Sequence, residues 1–128
     1  MTTKILDRTY PIGQAVELGV ANMGADKGVS FSVPMGAIVV RVIALTTTAF
    51  DSETTATLTV SDGTTAFVSA QDVKTAGSET VANTPKLYPT GGTITASLAE
   101  TGEAATTGAV FVYVEYVRPG NGIAGVQE

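Results

Sequence analysis

The stretch Val33 to Gly63, VPMGAIVVRVIALTTTAFDSETTATLTVSDG, decides the fold. It predicts two long strands joined by a threonine-rich connection. From Ala37 to Leu45 nearly every residue is apolar, and Val39, Val40, Val42 and Ile43 are β-branched. Branched side chains lose rotamer freedom in a helix and fit a pleated surface, so the segment reads as strand. Strict alternation puts Ile38, Val40, Val42 and Ala44 on one face and Val39, Ile43 and Leu45 on the other, with Arg41 among the latter. Such a strand is dry on both sides and needs cover on both, from a loop of the same chain or from a neighbouring subunit. From Thr55 to Ser61 the pattern is the ordinary one. Leu58 and Val60 share a dry face, and Thr57 and Thr59 a wet one.

Outward from this block the same period of two recurs. Gly28 to Val33 turns Val29, Phe31 and Val33 inward and Ser30 and Ser32 outward, and Pro34 and Gly36 turn the chain into the apolar strand. Thr46 to Thr54 is a connection whose one large apolar residue is Phe50, with Asp51-Ser52 as turn formers. Asp62-Gly63 signals a hairpin. Thr64 to Ala70 follows, with Ala66 and Val68 opposite Phe67. Gln71 to Thr84 reads as a polar surface loop. Pro85 and Pro89 bracket Leu87-Tyr88, a short edge piece. Gly91-Gly92 leads into Thr93 to Ala99, where Ile94, Ala96 and Leu98 face inward and Thr93, Thr95 and Ser97 face water. After a small-residue turn from Glu100 to Gly108, the last strand runs from Ala109 to Arg118. It places Val110, Val112, Val114 and Tyr116 on one face and Phe111, Tyr113, Glu115 and Val117 on the other.

The N-terminal 27 residues are less regular. Ile5 and Leu6 suit an edge strand or an arm, and Val16, Val20 and Met23 have the spacing of a helical turn. Gly13, Gly19, Gly24 and Gly28 keep any helix short, so a loop is the alternative. Residues 120–128 are expected to be a mobile tail. Short strands punctuated by turns, with no sustained helical period, predict an all-β chain. The expectation is a single domain over residues 1–128, an antiparallel β-sandwich or barrel of jelly-roll type.

Composition narrows the function. The 128 residues include 44% hydrophobic and 15% charged ones, enough apolar matter for a core and too little charge for a disordered chain. The net charge of −5 repels phosphate backbones, so nucleic acid is not an expected partner. No apolar run reaches the roughly 20 residues of a membrane helix, so no membrane partner is expected either. The opening MTTKILDRTYPIG lacks a signal-peptide apolar core, which predicts a soluble protein made without Sec-type export. Without cysteine there are no disulfides or thiolate chemistry, and without histidine the usual acid–base and metal ligand is missing. The absence of tryptophan removes the best stacking platform for sugars.

Candidate chemistry is sparse. Asp51 and Glu53, with Asp62 and Asp72, are the carboxylates from which a calcium site or a glycosidase pair would be built, and they are equally ordinary turn residues. Lys27 or Lys74 offers a partner for a serine nucleophile, yet no S-x-x-K motif occurs. Gly120, Gly122 and Gly125 spell G-x-G-x-x-G, but three residues after Gly125 leave no room for the helix that holds a pyrophosphate. Phe111, Tyr113 and Tyr116 suit a ligand platform or core pairs. These readings predict no catalytic residue, no cofactor and no metal. Arg41 is the informative oddity. Among Val39, Ile43 and Leu45 it suits a protein interface, where arginine and aliphatics share the buried centre. It equally suits an arginine lying along its own sheet or paired with Glu115. Val39, Arg41, Ile43 and Leu45 are therefore the candidate interface residues.

The order of segments carries a resemblance. V-P-x-G-A-I-V, then T-T-T-A-F-D-S-x-T-T-A-T-L-T-V-S-D-G, then D-V-K-T-A-G and a closing V-Y-V-E-Y-V together resemble the decoration (cement) proteins of tailed-bacteriophage heads, over about Gly28 to Gly120. The resemblance implies a non-enzymatic virion protein, made in the host cytoplasm, that sits on the capsid exterior. Its implied partners are the major capsid protein and itself, as a homotrimer that clamps neighbouring capsid subunits. A tail or fibre adhesin domain binding a host glycan fits the same composition and is the alternative. An enzyme would rest on Asp51 and Glu53 alone.

Overall fold

The computed structural model describes residues 12–20 and 27–117. Nine strands follow one another among them: β1 (Ile12–Gly19), β2 (Gly28–Val33), β3 (Ala37–Thr48), β4 (Thr55–Ser61), β5 (Ala66–Asp72), β6 (Glu79–Ala82), β7 (Lys86–Tyr88), β8 (Gly92–Thr101) and β9 (Ala109–Val117). They form two antiparallel sheets. A five-stranded sheet has the order β1-β9-β3-β6, with β7 also on β3, and a four-stranded sheet has the order β2-β8-β4-β5. With β6 and β7 taken as one interrupted strand, this is the eight-stranded jelly roll, in which successive strands alternate between two packed sheets except at the β4–β5 hairpin. The all-β sandwich expected from the alternating segments is thus the observed fold.

The period of two explains most of the core. Ile94, Ala96 and Leu98 of β8 and Ala56, Leu58 and Val60 of β4 line the inner face of the four-stranded sheet. Across from them lie Val110, Val112, Val114 and Tyr116 of β9, as the alternation predicted. Phe31 and Val33 of β2 join this layer. Phe50 plugs one end of the sandwich, where its amide donates to the Val73 carbonyl and the Val73 amide to that of Ala56.

Three expectations are corrected. Gln14 to Met23 contains no helical turn among its described residues; Ile12–Gly19 pairs in register with β9, so tertiary pairing outweighs a local 3.6 spacing. Gln71 to Thr84 is not one loop, because Glu79–Ala82 pairs with Val42 to Leu45. In β5, Phe67 and Val68 are both buried rather than on opposite faces, since register shifts against β4 break the alternation and Ala70 takes a φ of 52°. The edge piece expected at Leu87-Tyr88 is present as β7. The arm at Ile5 and Leu6 and the tail with Gly120, Gly122 and Gly125 lie outside the described residues.

The most consequential irregularity lies in β3. Val39 pairs with Tyr116, and Arg41 with its next neighbour Glu115, so Val40 is an extra residue in the ladder. A bulge of this kind shifts the phase of the strand. Ala37 and Val39 before it and Val42, Ala44 and Thr46 after it all point into the sandwich. Ile38, Arg41, Ile43 and Leu45 point out. Opposite the bulge, residues 83–85 interrupt β6 and β7, and Pro85 there has no amide to donate.

Candidate interaction surface

The outer face of the five-stranded sheet is built in rows that run across the strands. Glu17, Phe111, Leu45 and Glu79 make one row, from β1 through β9 and β3 to β6. Ala15, Tyr113, Ile43 and Val81 make the next. Gly13, Glu115 and Arg41 follow, and then Val117, Ile38 and Leu87. The face is therefore aliphatic and aromatic in two of its four rows, acidic at the two ends of one, and holds an ion pair in the other. Val81 is 45% exposed and Leu87 55% exposed. Neighbours on the sheet half-cover Phe111, Tyr113, Ile38, Ile43, Leu45 and Val117.

The ion pair is local. Arg41 Nη2 donates to Glu115 Oε1 at 2.7 Å, and the guanidinium lies 6.0 Å from the centre of the Tyr113 ring. Tyr113 stacks in turn on Phe111, with centroids 6.4 Å apart and planes 10° from parallel. Its ring fills the space over Gly13, where a Cβ would meet Cε1 at 2.3 Å. Glu115 is only 14% exposed in its side chain beneath this cover, whereas Arg41 keeps 43%. The expected pairing of Arg41 with Glu115 is present, and it leaves guanidinium surface available.

Of the four candidate interface residues, Arg41, Ile43 and Leu45 share this face. Val39 does not, because the Val40 bulge turns it into the core, where it is fully buried. Of the aromatic trio, Tyr116 is core, while Phe111 and Tyr113 are on the outer face. Val81 was missed because its segment is polar and short. Leu87 was read as an edge residue without a face.

The other face of the sandwich differs in kind. Ser30, Ser32, Thr93, Thr95 and Ser97 line the outside of the four-stranded sheet, exposed and uncharged. Ser30 and Thr95 hydroxyls are hydrogen-bonded across the strands at 3.2 Å.

The candidate carboxylates tie loops and turns together. Asp51 accepts from the amides of Thr106 and Thr107 and the Thr106 hydroxyl, which hold its carboxyl below the usual range. Glu53 accepts from the Glu103 amide, and Asp72 from the Lys74 amide and the Thr75 hydroxyl. Asp62 takes the amides of Thr64 and Thr65 on Oδ1, and Lys86 Nζ and the Tyr88 hydroxyl on Oδ2. Burial raises its pKa, but these four donors outweigh burial and hold it well below the usual aspartate range. Burial and the Asp62 charge push the Tyr88 hydroxyl up in turn. Glu100 is buried too, and Lys27, the Ser52 hydroxyl and the Ala105 amide bring its pKa down on balance. Lys74 Nζ donates to the carbonyls of Ser52 and Thr54 while the Ser52 hydroxyl is spent on Glu100, so lysine and serine are not arranged as base and nucleophile. Among the described residues no three His, Cys, Asp or Glu side chains are grouped to hold a metal ion.

A two-sheet jelly roll with one apolar outer face is the class that these observations define. Two solved structures are similar to it in fold. A chain of the cyanophage Pam1 capsid asymmetric unit matches with a TM-score of 0.62 and 24% identity, over 87% of this chain and 85% of that one. A chain of the acid-stable capsid of the Helicobacter pylori bacteriophage KHP30 matches with a TM-score of 0.58 and 17% identity, over 87% of this chain and 94% of that one. No protein-family model and no curated protein matches the chain.

Proposed function

We propose that this chain is a non-enzymatic structural protein of a phage head, which binds the outer surface of the capsid shell and stabilises it. Its partners in this reading are the major capsid protein and two further copies of itself, assembled as a trimer on the shell. Arg41, Ile43 and Leu45 supply the interface. The observation that carries the proposal is the outer face of the five-stranded sheet, where apolar side chains surround an ion pair, whereas the described outer face of the other sheet is lined by serine and threonine. Such faces serve recognition more often than solvation. The likeness to chains of two phage capsids supports a virion setting, although a fold alone hosts many functions. Asp51, Glu53, Asp62 and Asp72, each engaged in tying loops and turns, give an enzymatic reading no support.

Co-sedimentation of the purified chain with capsids assembled without it tests the proposal. Saturable binding to the shell is expected, and failure to co-sediment at micromolar concentrations refutes it. Gold-labelled antibody on intact virions distinguishes this reading from the tail-adhesin alternative, because label on the tail excludes a head role.

A further inference from the structure

Among the described residues the two sheets end in four edges: β1 and β6–β7 on one, β2 and β5 on the other. The outer side of an edge strand offers amides and carbonyls to any other strand, and folded chains guard it with charge, proline, bulges or breaks. Three of the four edges carry such guards. β5 has register shifts, a φ of 52° at Ala70, and Asp72. β6 and β7 are broken around Pro85 and carry Glu79 and Lys86. β1 carries Glu17. β2 has no guard of these kinds. It pairs with β8 through six successive residues without a shift, and GVSFSV holds neither charge nor proline.

The ladder fixes which groups face outward. The Leu98 amide donates to the Lys27 carbonyl, so Val29, Phe31 and Val33 turn their main-chain groups to β8. Gly28, Ser30 and Ser32 turn theirs away from the sheet. The Ser32 carbonyl accepts from Gln14 Nε2 at 2.7 Å and has a second lone pair to offer. The other five outward groups have no partner among the described residues. Their side chains are small and uncharged, so none holds an approaching strand off.

We infer that β2 pairs with β2 of a second copy, antiparallel about a two-fold axis at Ser30. Ser30 then exchanges two hydrogen bonds with its counterpart, and Gly28 and Ser32 of each copy exchange two with Ser32 and Gly28 of the other. All six outward groups of each strand are used, because the three residues lie symmetrically about Ser30. Charge selects a second copy as the occupant. Chains of net charge −5 repel one another, so they meet where charge is absent. The described surface beside this edge is uncharged, with Ser30, Ser32, Thr93, Thr95 and Ser97 on its outer face. Strand addition also requires an unguarded edge from the partner, and this chain supplies one. A two-fold contact closes at two copies, so it joins one trimer of the proposed assembly to the next and does not build the trimer. Six paired residues bury less than the roughly 1,200 Å² of small stable interfaces, which sets half-dimerisation on the order of 100 µM.

Sedimentation velocity of the full chain from about 10 µM to 1 mM tests the pairing without capsids, so its outcome is independent of the capsid-binding reading. A dimer is expected, with hydrogen exchange at the Gly28, Ser30 and Ser32 amides slowing as concentration rises. Ser30→Pro removes an outward amide and no bond to β8, so it is expected to keep the fold and weaken the dimer tenfold or more. Ser30→Lys sets two ammonium groups face to face across the axis. It is expected to weaken the dimer similarly at low salt and to recover part of it in about 1 M sodium chloride, and it decides the matter if Ser30→Pro does not fold. Ser97→Lys, one strand in from the edge, is expected to change the dimer less than twofold. A wild-type monomer throughout the range overturns the inference. So does a dimer that neither Ser30 variant weakens, or a trimer that both dissociate, since an edge pair about a two-fold cannot build one. A chain that stays monomeric and loses capsid binding in Ser30→Pro makes β2 the site of a strand from the shell, which also overturns it.

Discussion

Asp62→Asn is the substitution whose effect the structure specifies most closely. The side chain is 6% exposed at the turn between β4 and β5, with four donors on its two oxygens. The turn belongs to the four-stranded sheet, whereas Lys86 and Tyr88 belong to β7 of the other. The carboxylate therefore ties the two sheets together. Asparagine keeps Oδ1 for the amides of Thr64 and Thr65. In place of Oδ2 it puts an NH₂ group against an ammonium and a hydroxyl. Two charge-assisted hydrogen bonds are lost, each worth about 1.5–3 kcal/mol. Lys86 is 29% exposed and recovers some hydration, which keeps the sum near the lower end, about 2–4 kcal/mol. At about 3–5 °C per kcal/mol for a domain of this size, the melting temperature falls by roughly 10 °C at neutral pH. Circular dichroism of both proteins measures the drop, and a cycle with Lys86→Met isolates the pair.

The pH dependence supplies a second check. The folded pKa of Asp62 lies below its unfolded value, so its contribution is complete above the ordinary aspartate pKa and is lost as pH falls through the folded value. The gap between wild type and Asp62→Asn therefore narrows from about pH 5 to about pH 2. A gap under about 2 °C at neutral pH, or one that widens on acidification, refutes the account of the clasp.

The Val40 bulge predicts that Val39→Asp fails to fold, because a carboxylate at a fully buried site costs about 4 kcal/mol or more, while Ile43→Asp folds; soluble yield and circular dichroism separate them. Gly108 has a φ of 144°, and a Cβ there would meet the Phe50 ring at 2.4 Å, so Gly108→Ala is expected to cost about 2–4 kcal/mol in urea unfolding. Glu100→Gln removes the partner of Lys27 and weakens the Ser52 contact at a side chain 5% exposed, for an expected loss of about 2 kcal/mol in the same assay. Lys27→Met is expected to cost less, because Glu100 keeps Ser52 and the Ala105 amide.

Where each strand stood alone, the sequence was legible. Thr55–Ser61 and Gly28–Val33 were bounded to the residue, and the faces of β8 and β9 were assigned correctly, because apolar and polar residues alternate there without interruption. Three features were hidden for physical reasons. β1 pairs through a glycine-containing stretch whose apolar spacing mimics a helical turn, so only its partner β9 reveals it. β6 is short and half polar, and its strand character comes from pairing with β3 rather than from propensity. The clasp of Asp62 with Lys86 and Tyr88 joins residues more than twenty positions apart, and a turn aspartate carries no local sign of such partners.

The candidate surface shows how far a single residue governs the outcome. Val40 sits between Val39 and Arg41 in a run of β-branched residues, and nothing in composition marks it as the extra one. Without the bulge, Val39 and Arg41 would share a face, as strict alternation requires. With it, Val39 fills the core while Arg41 reaches Glu115 and the Tyr113 ring outside. The interruption of β6 and β7 at residues 83–85 lies opposite, where a continuous strand would have to match the irregular stretch of β3. The apolar outer face thus depends on a local fault in the ladder. The phase shift keeps a long aliphatic strand from burying its arginine, and it sets that arginine at the centre of the surface most suited to a partner.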